Sequence, residues 1–193
     1  MMEPKRRSPR HGGPTFALRH RLFRCLWGLV WNGLGAWTPT PFFLWRRALV
    51  RLFGGKITAS ARIYPGVQIW YPPHLEMAEY SCLARGVNCY CMAPIRLEPY
   101  ALASQGAHLC AGTHDVDDPH FTLHARPIVI AAHAWVAAEA FVGPGVTLAA
   151  GAVLGARAVA FRDLESWTIY VGNPARRSRA RRRPLRKQAG LKP

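Results

Sequence analysis

Acidic side chains are scarce in this 193-residue chain: ten stand against 26 lysines and arginines, leaving a formal charge of +16. Nine of the ten lie between residues 54 and 175, and the tenth is Glu3. Residues 1–13 carry +3, residues 14–53 carry +6 and residues 176–193 carry +9, whereas residues 54–175, with seven basic and nine acidic side chains, carry −2. A near-neutral centre excludes a nucleic-acid-binding core, and no helix-turn-helix, zinc-finger or aromatic stacking pattern accompanies the basic ends, so no specific nucleic acid is expected. The five cysteines (Cys25, Cys82, Cys89, Cys91, Cys110) contain no C-x-x-C pair, and no cleavable signal sequence precedes them. An odd count without an export signal points to a reduced, cytoplasmic chain. The apolar run after Arg24 is too short to cross a bilayer.

What the chain does have is a six-residue beat, clearest from Ile130 to Val159: I-A-A-H-A-W, V-A-A-E-A-F, V-G-P-G-V-T, L-A-A-G-A-V, L-G-A-R-A-V. An aliphatic residue opens each hexad (Ile130, Val136, Val142, Leu148, Leu154) and a small one follows four places later (Ala134, Ala140, Val146, Ala152, Ala158). The beat runs upstream through Ile57, Ile63 and Ile69, then Met77, Leu83 and Cys89, then Leu97, Ala103 and Leu109. Among fourteen hexads only Pro73 breaks the small-residue rule at the fifth position. A helix would show spacings of three and four and a two-sided strand a spacing of two; a strict six is neither. It marks a solenoid. Three short strands make one triangular coil, and coils stack at about 4.8 Å. The coil starts at 57, 77 and 97 are 20 residues apart, two more than three hexads need, and residues 115–129 interrupt the count altogether. Loops carried on rigid scaffolds are where function concentrates.

The domain reading is a basic disordered arm over 1–15, a helical amphipathic extension over 16–54, the solenoid over 55–175 and a basic disordered tail over 176–193. Within the extension, Phe16 to Leu34 reads as one helix, and Thr40-Pro41 starts a second running to about Phe53. In the second, Trp45, Leu49, Leu52 and Phe53 oppose Arg46, Arg47 and Arg51. The helices either cap the open end of the solenoid, whose edge needs cover, or lie on an anionic membrane through apolar and arginine-bearing faces; both can hold. The second reading makes the chain peripheral at the inner face of the cell membrane.

Residues 55–175, with T-H-D at 113–115, A-W-V-A at 134–137 and G-N-P-A-R at 172–176, resemble the sugar O-acetyltransferases of the hexapeptide-repeat family. With the lead-in W-R-R-A-L-V-R-L-F-G-G-K-I, the resemblance is to the colanic acid biosynthesis acetyltransferases. It implies a left-handed parallel β-helix of hexapeptide repeats with an N-terminal α-helical extension and a basic C-terminal tail. It also implies a homotrimer whose active sites form between adjacent prisms, acetyl-CoA as acyl donor, a saccharide acceptor and no metal.

By the same resemblance His114, at the edge of the interruption, is the general base. A sugar hydroxyl is a poor nucleophile, and an imidazole can take its proton as it attacks a thioester carbonyl. Asn88, Trp135 and Asp115 are the implied acceptor-site residues. Ala138 and Ala156 are implied contacts for coenzyme A, small enough to let pantetheine approach, and Arg162, Arg176 and Arg177 are candidates for its phosphates, which a planar guanidinium suits. Phe161 stands where the family carries a smaller polar residue. Two alternatives remain from the residues. One is a zinc hydratase on the same fold, with His114, His120 and a carboxylate of Asp115, Asp117 or Asp118 as ligands; the other is a membrane-associated scaffold without catalysis.

Overall fold

In a computed structural model that describes residues 16–183, the beat becomes a three-faced parallel solenoid. The first face stacks the strands Lys56–Ile57, Leu75–Met77, Ile95–Leu97, Ile128–Ile130 and Thr147–Leu148. Arg62–Ile63, Cys82–Leu83, Leu102–Ala103, Trp135–Val136, Val153–Leu154 and Thr168–Val171 make the second. The third consists of Gln68–Ile69, Asn88–Tyr90, His108–Cys110, Phe141–Val142 and Val159–Ala160. Register places like on like: Ile63, Leu83, Ala103, Val136 and Leu154 form one unbroken column.

All fourteen opening positions of the hexads are buried, so the aliphatic beat is the prism's interior. Twelve of the fourteen fifth positions are buried as well; the exceptions, Pro73 and Thr113, both belong to the third corner. That corner is where the regular repeat yields. In the first coil it holds the short turn Pro72–His74, in the second the residues 91–94, and in the third the chain leaves the prism entirely. The two extra residues per early coil and the long interruption therefore share one edge of the solenoid.

At the first corner the left-handed turn position is filled by Tyr80, Tyr100 and His133 (φ 57°, 62° and 60°), where glycine is the unstrained choice. Their rings stack at 5.1 and 5.0 Å, so the contact of each ring with the next offsets part of that backbone cost.

The helices are Leu18–Val30 (α1), continued by a π turn over Trp31–Gly35, and Phe43–Leu52 (α2). Every parallel coil donates its N–H groups to the next, which leaves the carbonyls of the first coil pointing at nothing. Five side chains of the helices answer them. Arg51 Nε donates to Ile57 O at 2.6 Å, Arg47 Nη1 to Ala61 O at 3.0 Å and Arg46 Nε to Ile63 O at 2.6 Å. Trp31 Nε1 donates to Val67 O at 2.8 Å and Trp27 Nε1 to Ile69 O at 2.7 Å. The capping reading thus holds, with one buried arginine at its centre. The inward face of α2 carries the fully buried Arg46 together with Leu49 and Val50, with Phe43 against Tyr64 and Phe53 against the core at its ends, while Arg47 and Arg51 reach in from its flank and Leu44, Trp45 and Leu52 face out. Unsatisfied buried carbonyls cost more than exposed leucines, so Arg46 keeps its place inside among the apolar residues.

The opposite end is finished differently. Arg176–Ala180 is a strand, paired antiparallel with Thr168–Val171, and Arg181 Nη1 reaches back to His133 O and Gly151 O, each at 2.9 Å. The tail boundary at 176 is corrected accordingly: residues 176–183 belong to the folded solenoid, because an edge strand carrying arginines covers the terminal coil and resists further pairing. The basic arm over 1–15 and the tail from 184 onward lie outside the described residues. Among the described residues no helix is long and apolar enough to cross a membrane.

Candidate active site

Where the third coil breaks, Gly112–His114 and Leu123–Ala125 form an antiparallel hairpin, with Thr113 opposite His124 and His114 opposite Leu123. Gly112 is the exit point. A side chain there would displace the Met92 side chain and crowd Tyr90 of the preceding coil, so glycine lets the hairpin leave flush with the prism. The loop at its tip is knitted by its aspartates. Asp115 Oδ1 accepts from Asp117 N at 3.0 Å, and Asp118 accepts from Thr122 N at 3.2 Å and His120 N at 2.9 Å; hydrogen bonding with Thr122 above all, then with His120, holds the Asp118 carboxyl below its ordinary range.

His114 is half-buried, with its Nδ1 2.8 Å from Phe121 O and its ring stacked on the Phe121 ring at 4.5 Å and 11°. A carbonyl can only accept, so Nδ1 carries the proton and Nε2 of the neutral ring is left with its lone pair. That is the form a general base needs. His114 lines a cavity of about 440 Å³ with Thr113, Asp115, His124, Arg126, Pro144 and Phe161. Asp115 Oδ2 lies 3.8 Å from His124 Nε2 on its wall. A second cavity, of about 290 Å³, is lined by Arg162, Arg176 and Arg177 together with Asp163, Tyr170 and, again, Phe161. Phe161 is thus the wall common to both; its ring lies over Gly143, where any side chain would displace it. Glu165 is 3.9 Å from Arg177 Nε and draws off a little of that positive charge.

The structure therefore brings together His114 with Asp115, and Arg162 with Arg176 and Arg177, on adjoining cavities. It does not bring the remaining candidates to them within one chain. Asn88 stands on the third face between Gln68 and His108. Trp135 is on the second face, its Nε1 donating to Ser104 Oγ at 2.8 Å, and lines a separate groove with Arg179, Arg181 and Arg182. Ala138 and Ala156 occupy the second corner, beside the Glu139–Arg157 ion pair, and line neither cavity. His124 and Arg126 were missed as cavity residues: they gain their place only through the hairpin pairing, and no spacing in the sequence signals it. Among the described residues no three histidine, cysteine, aspartate or glutamate side chains are grouped to hold a metal ion. His114, His120 and the loop aspartates therefore do not assemble the ligand set of the zinc alternative within one chain. Cys89 is a core residue, its thiol pushed up by a hydrogen bond with Cys91 and by burial.

No protein-family model matches the chain. Over 150 residues it is 41% identical to the Escherichia coli (strain K12) protein named "Putative colanic acid biosynthesis acetyltransferase WcaF", a stretch that covers 78% of this chain and 82% of that one. Two solved structures share the fold. A hexapeptide-repeat-containing acetyltransferase of Vibrio cholerae O1 biovar eltor, complexed with acetyl coenzyme A, superposes with a TM-score of 0.77 at 20% identity, covering 86% of this chain and 91% of its own. A maltose O-acetyltransferase of Clostridium difficile 630 does so with a TM-score of 0.74 at 16% identity, covering 86% and 90%. The solenoid fold and the Escherichia coli relative place the chain in the class of hexapeptide-repeat acetyltransferases. Within that class, the chain belongs to the family of the colanic acid biosynthesis acetyltransferases.

Proposed function

We propose that the chain transfers an acetyl group from acetyl-CoA to a hydroxyl of a saccharide on an exopolysaccharide pathway, with His114 as general base. The observation that carries this is the pinned imidazole: Nδ1 held by Phe121 O leaves Nε2 as the acceptor on the cavity. In the reaction Nε2 takes the hydroxyl proton as the oxygen attacks the thioester carbonyl. The resulting tetrahedral centre collapses, the carbon–sulfur bond breaks, and the proton on Nε2 passes to the departing thiolate of coenzyme A. The ester is released with no acyl-enzyme, so neither a nucleophilic cysteine nor a metal has a step to perform.

The donor reading is supported by the second cavity. Three arginines there suit the phosphates of coenzyme A, and the wall shared through Phe161 gives the pantetheine arm a short way to His114. Changing Arg176 and Arg177 together to alanine is expected to raise KM for acetyl-CoA by about tenfold with kcat nearly kept, the result of losing uniform binding. Acetyl-pantetheine, which lacks the nucleotide phosphates, should be unaffected. An equal loss with both donors would remove the phosphate role.

The homotrimer is part of the same proposal. Asn88, Trp135, Ala138 and Ala156 line neither cavity in one chain, an arrangement that suits a site completed across a subunit boundary. Light scattering should return three times the 21.5 kDa chain mass; a monomer with full activity would exclude a shared site.

A further inference from the structure

We infer that the outer face of the helical cap is a docking surface for an anionic lipid bilayer. Sixteen large apolar or aromatic side chains are exposed among the described residues, and ten of them fall between residues 18 and 52. The cap thus exposes more of them than the whole solenoid, which exposes six. Along α1 the stripe Leu18, Leu22, Leu26 and Leu29 is 54% to 70% exposed, a full helix face turned to solvent opposite the buried Trp27 and His20. On α2 Leu44, Trp45 and Leu52 are exposed in the same way, while its arginines are spent on the first coil's carbonyls. Isolated exposed leucines are ordinary; a contiguous apolar face of this extent marks a contact surface.

Two indoles sharpen the kind of contact. Trp37 is 70% exposed, yet its Nε1 donates to Gly33 O at 2.7 Å, and the exposed Trp45 donates to Leu34 O at 2.7 Å. The one polar group of each ring is satisfied within the chain, so both rings can enter an apolar phase without stranding a donor. The second bond also ties α2 to the end of α1, which makes the two outer faces adjoin.

Charge selects the occupant. No acidic residue occurs between Pro4 and Leu75, and the exposed Arg19 and Arg21 border the leucine stripe. A second copy seated on the same patch would set arginine against arginine with no carboxylate on either side. Anionic headgroups complement it, and a buried apolar face rimmed by arginine is the pattern of helices lying in the membrane plane. With 13 residues, α1 lies on the bilayer and does not cross it.

The full chain should co-sediment with vesicles of phosphatidylcholine and phosphatidylglycerol and much less with phosphatidylcholine alone. The double substitution Leu22→Glu/Leu29→Glu should weaken binding to the anionic vesicles by about tenfold or more, as loss of two inserted leucines requires. Leu22→Gln/Leu29→Gln, which adds no charge, should weaken it in the same direction. Both positions are exposed, so the melting temperature should stay at the parent value, and acetyl transfer to a water-soluble acceptor should be unchanged. Undiminished binding in both variants would assign the contact to the basic termini and overturn the proposal. Absence of vesicle binding in the parent would overturn it too, as would a larger parent assembly that the substitutions split, which would mean that a second copy covers the patch.

Discussion

Replacing His114 by alanine should lower the turnover of acetyl transfer by about 10² to 10⁴, the contribution of a positioned general base, while the KM values for donor and acceptor change little. The argument is geometric. Phe121 O fixes the tautomer and the Phe121 ring fixes the plane of the imidazole, so Nε2 is presented to the cavity before substrate arrives. Because the side chain lies on the hairpin and outside the prism, its loss should leave the thermal unfolding of the solenoid in place. Thiol release from acetyl-CoA, followed in steady state with a sugar acceptor, reads the effect directly. Turnover within a factor of two of the parent would remove His114 from the mechanism. The residual rate in the variant should still depend on Arg176 and Arg177, because donor binding and proton transfer use different side chains.

Arg46→Met should have the largest effect on stability of any single change in the cap. The fully buried guanidinium donates from Nε to Ile63 O at 2.6 Å, from Nη1 to Thr38 O at 3.1 Å, Thr38 Oγ1 at 2.8 Å and Pro39 O at 3.0 Å, and from Nη2 to Thr40 O at 2.6 Å. No carboxylate takes part, and removal from water alone pushes the guanidinium's pKa down. Methionine matches the volume of the stem but orphans the carbonyls, at about 1 to 3 kcal/mol for each one left without water. With two left dry, about 2 to 6 kcal/mol is lost, and the melting temperature falls by about 5 to 20 °C for a chain of this size. Lysine at the same position should recover little, since one ammonium cannot serve carbonyls lying on several sides of a planar fork. A methionine variant that melts within about 2 °C of the parent by circular dichroism would show that water caps the first coil in its place.

The two expectations rest on features of unequal visibility in the sequence. The prism itself was legible, because the fate of each residue there depends only on its place in a local period: residue 63 must point inward if residues 57 and 69 do. Even the break could be located, since a period announces where it stops. His114 followed from the break together with the resemblance. Its tautomer did not, because Phe121 lies seven residues away across a hairpin that exists only once Gly112 has let the chain out of the coil. His124 and Arg126 were hidden for the same reason.

The cap shows the limit most plainly. A helical wheel sets Trp45 and Leu52 apart from Arg46 and Arg47 but does not say which of them faces in. The usual rule keeps arginine outside, and at Arg46 it fails, because the rule takes no account of a row of backbone carbonyls waiting at the end of a solenoid. Those acceptors are not a property of any segment; they arise when coils stack in one direction and the first has no predecessor. Sequence by itself determined the repeat, its interior and the site of its interruption, all set by neighbours within a few residues. Tertiary structure alone decided which side chains meet at the cavities and which face of each helix is left for a partner, since both depend on groups brought together from distant parts of the chain.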